Sequence, residues 1–431
     1  MAAKTATAGT QRAKHSKKQA ASSQQEELGA VKKLGRFLLD NQTRISFNII
    51  GALLLSYISV PATQPFISKF FTPSYHNPRT GKHAIGPDDY YFIVFCVVLL
   101  TGLRDSCMRY ILAPLSQRWG VKSAKDATRF AEQGWMLLYY TVAWPTGLYI
   151  YMTSPYYLDM KQLWTDWPQR EMGLLMKAYM LWQWAFWIQQ VVVINIEERR
   201  KDHWQMLSHH FVTIGLIAAS YHYHQTRVGN LILVVMDIID LFLPMAKCLK
   251  YLGFTTICDV LFAGFIISWT IGRHVLFVMI CWSVYYDLPR TMTFACYRGS
   301  AEKLQGPLPL PNDWAHLLEP FLDPTGQVCF SQGITNGFLV SLLSLEVMMV
   351  IWFTFIVKIV IRVFQGHSAE DLRSDGEDEG DEEIEEPEST EDDTDAENQR
   401  RPPHNTTTAA SGVRIAEKEL LHRIGCEKRI N

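Results

Sequence analysis

The sequence predicts an all-α fold: a polytopic membrane helix bundle of about six to eight transmembrane helices with disordered cytosolic tails. Two observations carry this. Apolar segments recur at 45–61, 89–103, 134–152, 172–194, 206–224, 229–247, 257–285 and 336–364, most of them near the roughly 20 residues that a spanning helix needs. The ends are different: residues 1–44 are basic, with Lys4, Arg12, Lys14, Lys17, Lys18, Lys32, Lys33, Arg36 and Arg44, and 369–397 is dominated by Asp and Glu. The 48% hydrophobic content and formal net charge of -2 therefore average over three unlike regions.

The first region, 1–44, is a basic cytosolic arm. Within it Glu26 to Leu39, "EELGAVKKLGRFLL", spaces Leu28, Val31, Leu34 and Leu38 near a helical period with Lys32, Lys33 and Arg36 between them, which predicts an amphipathic helix on the cytosolic leaflet. No cleavable signal peptide is expected, because this arm lacks an apolar run. Its near absence of aromatic residues and of a helix-turn-helix pattern argues against nucleic-acid binding.

Residues 45–129 hold the first two membrane segments and a cytosolic loop; the second segment is short enough to be tilted or re-entrant. Loop charge sets the orientation. With the N-terminus cytosolic, the basic connections fall on the same side: Arg104, Arg109, Arg118, Lys122, Lys125 and Arg129, then Arg199, Arg200 and Lys201, then Lys247 and Lys250. Both tails then face the cytosol, and the sequons at Asn41 and Asn405 are predicted to stay unmodified.

The main membrane region, 130–365, contains a long lumenal connection, 286–335, whose only cysteines are Cys296 and Cys329. That compartment permits a disulfide between them. The remaining cysteines show no metal-type spacing. The proline-rich stretch within 307–324 is predicted to cover part of the lumenal surface. In the acidic tail, 366–431, Ser368, Ser374, Ser389, Thr390 and Thr394 each precede an acidic residue by three positions, the pattern of acidophilic phosphorylation sites. Lys428 and Arg429 form a dibasic end of the kind that serves as a retrieval address.

Ionisable residues inside spans cost roughly 3 kcal/mol at mid-helix and mark functional cavities. Segment 206–224 carries His209 and His210; segment 229–247 carries Asp237 and Asp240. A spacing of three puts both aspartates on one helical face. Counting from Lys247 at about 1.5 Å per residue places Asp240 roughly 10 Å and Asp237 roughly 15 Å from the cytosolic end, with the histidines roughly 5 Å inside it. All four can converge in the cytosolic half. Pro244 is expected to bend its helix by leaving the Asp240 carbonyl without a donor, and Thr213 to fix a histidine ring or back-bond to its own helix. Arg273, inside a later span, needs a partner, and the aspartates or a substrate are the candidates.

An imidazole beside carboxylates suits a general base that deprotonates an amine acceptor, or a nucleophile that carries an acyl group. No G-x-S-x-G motif competes for the role. A His-rich metal site is the rival, but His222 and His224 fall at the far end of the span beside Tyr221 and Tyr223, as in an interfacial belt. No metal is expected. Arg199, Arg200 and Lys201, helped by Arg118, Lys122 or Lys125, can meet the phosphates of a nucleotide-bearing donor or merely enforce topology.

The run from Arg199 to Leu252, "RRKDHWQMLSHHFVTIGLIAASYHYHQTRVGNLILVVMDIIDLFLPMAKCLKYL", resembles the Lag motif of the ceramide synthases within the TLC domain. The matching elements are His209-His210 with Thr213, Ser220-Tyr221, Arg227, Gly229, and Asp237 with Asp240 followed by Lys247 and Tyr251. The resemblance implies transfer of a fatty acyl group from acyl-coenzyme A to the amino group of sphinganine or phytosphinganine in the endoplasmic reticulum. His209, His210, Asp237 and Asp240 are then its essential residues, and no cofactor is implied beyond the coenzyme A of the donor. Many animal relatives have His at the position of Met236, Glu at that of Pro244 and a homeobox-like region, so the departures point to the fungal branch. That branch implies a small single-span regulatory subunit and a homodimer or a heterodimer with a paralogue, alongside membrane lipids. A non-enzymatic TLC protein of lipid binding, transport or translocation is the alternative.

Overall fold

The computed structural model describes residue 35 and residues 37–196, 202–311 and 313–365. Arg199, Arg200, Lys201, the five phosphorylation candidates, Asn405, Lys428 and Arg429 lie outside them, as does most of the expected 26–39 helix. The chain divides into two compact units, Met1–Arg199 with Trp204–Met349 and Arg200–His203 with Val350–Asn431.

Helix α1 (Gln42–Ser59) ends at Val60 because Pro61 follows: the residue before a proline is pushed out of the helical region, and Val60 sits at φ -125°, ψ 93°. The chain turns through 113° there into Pro61–Thr63 and α2 (Gln64–Phe71). Helix α3 (Asp89–Cys107) passes through a π-helical turn, Met108–Leu112, into α4 (Ala113–Arg118), giving a continuous 30-residue span. The apolar run stops near Arg104, which made this segment look short. The helix continues because its charges are met locally: Asp105 accepts from the Thr43 backbone N–H and hydroxyl at 3.2 and 2.5 Å and from Arg109 Nε at 2.6 Å.

Helix α5 (Ala124–Met152) starts at the N-cap Ser123, whose hydroxyl accepts from the Asp126 N–H. It is followed by α6 (Leu174–Ile196), α7 (His203–His222), α8 (Thr226–Asp237) and α9 (Ile239–Tyr251). Helix α7 stops in a Schellman arrangement: His224 takes the left-handed conformation at φ 56° and the Gln225 N–H reaches back to the Ser220 carbonyl at 2.8 Å. The helical hydrogen-bond pattern is interrupted at Ile238, between α8 and α9, and Pro244 lies inside α9. Next come α10 (Thr255–Trp269), a π-helical segment Thr270–Leu276, α11 (Phe277–Tyr286) and α12 (Gln332–Phe364).

Three helices among the described residues are long and apolar enough to cross a membrane, Asp89–Arg118, Thr256–Thr291 and Gln332–Arg362, or four if the bent pair counts as one. This is fewer than the six to eight expected. Helices α5 to α9 lie outside that count, α8 and α9 because each is shorter than a span, and they bury polar side chains such as Gln183, Asn230 and Asp237 against their neighbours. Helix α6 packs on α3, α8 on α5, and α9 on both α5 and α10. An enclosed helix does not need apolar residues on every face.

Beyond the helix ends, six short strands among the described residues form two antiparallel sheets. One pairs β1 (His76–Asn77), β2 (Lys82–Ala84) and β3 (Glu171–Met172); the other places β4 (Cys296–Arg298) between β5 (Gln305–Leu308) and β6 (Val328–Cys329). Cys296 faces Cys329 across β4 and β6, and a disulfide joins them. The buried Arg170 guanidinium gathers this cap, donating to the carbonyls of Pro324, Tyr297 and Gly326 at 2.8, 2.9 and 3.0 Å.

His224 lies 3.4 Å from the same guanidinium, in the connection after α7. Burial, then the charge of Arg170, lowers its pKa from 6.5 to about 3. Between those values the unfolded chain binds a proton that the folded chain does not, so this contribution to stability is complete above pH 6.5 and declines as the pH falls. Acidification to pH 4.5 is expected to cost roughly 2–3 kcal/mol at this site. Thermal unfolding of the wild type and of His224→Gln across pH 7 to 4.5 checks this; equal slopes for the two proteins contradict it.

Candidate functional site

The aspartates are built into the helix break. Asp237 ends α8 and is 1% exposed, and its Oδ2 accepts a hydrogen bond from Gln183 Nε2 at 2.6 Å. Asp240 opens α9, two residues past Ile238. Its Oδ1 is 3.5 Å from the Arg273 guanidinium. The π-helical segment Thr270–Leu276 carries Arg273, which lies over the Trp269 ring at 4.1 Å. Such π-helical turns re-aim side chains and recur at functional sites. Arg273 thus brings the π-helical segment to the aspartate at the start of α9. Its Nε makes no hydrogen bond among the described residues.

The two histidines stand nearly perpendicular, ring centres 5.8 Å apart, and Trp187 of α6 packs edge-on against each at 5.4 and 5.2 Å. His210 Nδ1 is 2.6 Å from the Met206 carbonyl one turn back. A carbonyl only accepts, so Nδ1 carries the proton and Nε2 the lone pair. Thr213 behaves differently from expectation: its buried hydroxyl makes no hydrogen bond among the described residues, and it neither orients a ring nor back-bonds. It lines a cavity instead.

That cavity has a volume of about 80 Å³ and is walled almost wholly by apolar atoms. It runs along Thr213, Ile217 and Ser220 of α7, Gly229 and Leu233 of α8, and Leu342 of α12, with Trp164, Leu288 and Phe330 from the cap side. Gly229 is required by the close approach of α7 and α8: a Cβ there meets Ser220 Oγ at 2.5 Å. Thr213 is one helical turn from both histidines, so the cavity starts beside them.

Three contributors escaped sequence reasoning: Gln183, Tyr139 and Trp187. Gln183 has a legible signal, a neutral amide within an apolar span. His222 and His224 are far from the site and belong to the cap interface, His222 contacting the Tyr90 hydroxyl and the Pro320 carbonyl at 3.0 and 3.1 Å.

Residues 129–358 match the family described as the TLC domain. Among curated proteins, the chain is 51% identical over 339 residues to Ceramide Synthase FUM18 of Gibberella moniliformis, covering 79% of each chain. It is 44% identical over 334 residues to Sphingosine N-acyltransferase-like protein ALT7 of Alternaria alternata, covering 77% of this chain and 75% of that one. It is also 39% identical over 346 residues to Sphingosine N-acyltransferase lag1 of Schizosaccharomyces pombe, covering 80% of this chain and 82% of that one.

Proposed function

The chain belongs to the TLC-domain family, on the branch of the fungal ceramide synthases, also called sphingosine N-acyltransferases, and from that premise we propose how its site works. The protein is a membrane acyltransferase. Its donor is a fatty acyl-coenzyme A and its acceptor the amino group of a sphingoid base, sphinganine or phytosphinganine. The single observation that carries this reading is the apolar cavity that begins at Thr213, one helical turn along α7 from the His209-His210 pair.

The cavity suits the hydrocarbon chain of the donor, with the thioester left beside the histidines. The acceptor arrives as an ammonium ion and must lose a proton before its nitrogen attacks the carbonyl carbon. An imidazole lone pair takes that proton, the C–N bond forms, and as the C–S bond breaks the second proton shed by the nitrogen passes to the departing coenzyme A sulfur. Alternatively the imidazole first takes the acyl group, releasing the thiolate, and passes it to the amine. Arg273 offers positive charge to the carbonyl oxygen as it becomes negative. Arg199, Arg200 and Lys201 supply phosphate contacts for the donor.

The location follows from the same chemistry. We place the protein in the endoplasmic reticulum with both tails cytosolic and the disulfide cap lumenal, where oxidation is supported. A small single-span subunit and a second copy or paralogue are the expected partners. Purified protein given sphinganine and acyl-coenzyme A is expected to form ceramide and free coenzyme A in equal amounts; a protein that forms neither, with or without its subunit, sinks the reading. Rapid quenching separates the two routes: an acyl-histidine adduct trapped before ceramide appears selects the nucleophile, and its absence selects direct transfer.

A further inference from the structure

Asp237 sits at a place where its own helix cannot hold it. It is the last residue of α8, and the helical hydrogen-bond pattern is interrupted at Ile238 immediately after it, where the backbone dihedrals stay helical. Its hydrogen bond from Gln183 is the one that fixes its carboxylate among the described residues. Gln183 is completely buried on α6, and every polar atom of its amide is engaged. Oε1 accepts from the Tyr139 hydroxyl at 2.9 Å, and Nε2 reaches both the Tyr179 hydroxyl at 3.2 Å and Asp237 Oδ2 at 2.6 Å. Tyr139 is itself held by a parallel stack on Phe186, ring centres 3.5 Å apart.

With Asp237 ionised, these contacts favour one orientation of the amide. Turned over, Gln183 would place its oxygen against the Asp237 carboxylate and its NH₂ group against a hydroxyl that now donates to it, leaving two acceptors face to face at the shortest contact. Three helices thus meet at one amide: Tyr139 from α5, Tyr179 and Gln183 from α6, and Asp237 from α8. A buried amide placed only to fill space has no need of this directed arrangement.

Resting on the acyl-transfer reading above, we propose that Gln183 is a positioning residue for Asp237: it donates to Oδ2 and so leaves Oδ1 as the oxygen that works in the reaction. Gln183 acts through Asp237 and touches no reacting atom. Tyr139 orients Gln183 in turn, which makes Tyr139, Gln183 and Asp237 a relay from the packed interior to the site.

The test measures ceramide formation by full-length purified protein over a range of pH. Gln183→Leu is expected to lower kcat by roughly ten- to hundredfold while KM for acyl-coenzyme A stays within about threefold of wild type. Gln183→Glu keeps the size but faces one carboxyl with another; the two share a proton, and the acidic limb of the kcat profile moves to higher pH by about one unit or more. Tyr139→Phe removes one hydroxyl at constant shape and decides the matter if either Gln183 change prevents folding; a severalfold fall in kcat is expected. Wild-type kcat and pH profile per folded molecule in these variants overturn the proposal, whatever happens to thermal stability. A wild type that makes no ceramide overturns the acyl-transfer reading instead.

Discussion

His210→Ala and Asp237→Ala each lower ceramide formation by roughly 100-fold or more, the scale on which a positioned acid or base contributes, while leaving a folded protein. His210 has the geometry for the larger loss. Its Nδ1 proton is committed to the Met206 carbonyl, so Nε2 is the ring's one lone pair, and no other residue type at this site offers a neutral nitrogen base except His209. Alanine removes that base and leaves Trp187 facing an empty space on one side. Asp237 is different: its carboxylate is 1% exposed and fixed by Gln183, so Asp237→Asn keeps the volume while removing the charge. The asparagine variant is expected to match the alanine variant in activity and to exceed it in thermal stability, which separates chemistry from packing. The double variant His210→Ala/Asp237→Ala is expected to be little worse than either single one, because residues that act as a unit lose their contribution together. Steady-state assays on protein checked for folding by gel filtration measure all of this. Full activity in both single variants would exclude the histidine and aspartate set from the reaction.

The chemistry of the site was more legible in the sequence than its architecture. Charged groups in apolar segments cost so much that His209, His210, Asp237, Asp240 and Arg273 stand out without any coordinates. The Arg273–Asp240 pair followed from the same reasoning, since a buried guanidinium needs an anion. Gln183 and Tyr139 did not stand out, because neutral polar side chains cost less and occur in spans for many reasons. The cap sheets were illegible on other grounds: strands of two to four residues are too short to show a period. Thr213 illustrates the converse: a spacing of three and four from the histidines suggested contact, and the hydroxyl lines the cavity instead.

Lys177→Met is expected to destabilise the protein by about 3–5 kcal/mol, the penalty for leaving a buried charge without its partner. In the sequence this lysine looks harmless, near the end of an apolar run where long basic side chains usually reach for water. The structure buries it completely. Its Nζ donates to the Ser74 and Ala84 carbonyls at 2.8 and 2.6 Å and pairs with Asp89 at 2.7 Å. Asp89 also accepts from the Gly86 N–H at 3.0 Å and the Tyr221 hydroxyl at 2.8 Å. Four segments are thereby joined at one ion pair: the β1–β2 hairpin region, the start of α3, the start of α6 and the end of α7. Two of them lead to the site, since α6 carries Gln183 and Trp187 and α7 carries both histidines. Methionine preserves most of the side-chain volume, so the loss measures the charge and its hydrogen bonds more than a cavity. Adding Asp89→Asn removes the orphaned charge and keeps an acceptor for Tyr221, and the double variant is expected to recover a large part of the stability that Lys177→Met loses. Thermal unfolding in detergent, with ceramide formation assayed after each temperature step, measures both effects. A single variant that melts with the wild type would mean that Asp89 is satisfied without the lysine. A double variant no more stable than the single one would assign the loss to the two backbone carbonyls that Lys177 holds, and would move the anchor of α6 from the ion pair to the hairpin.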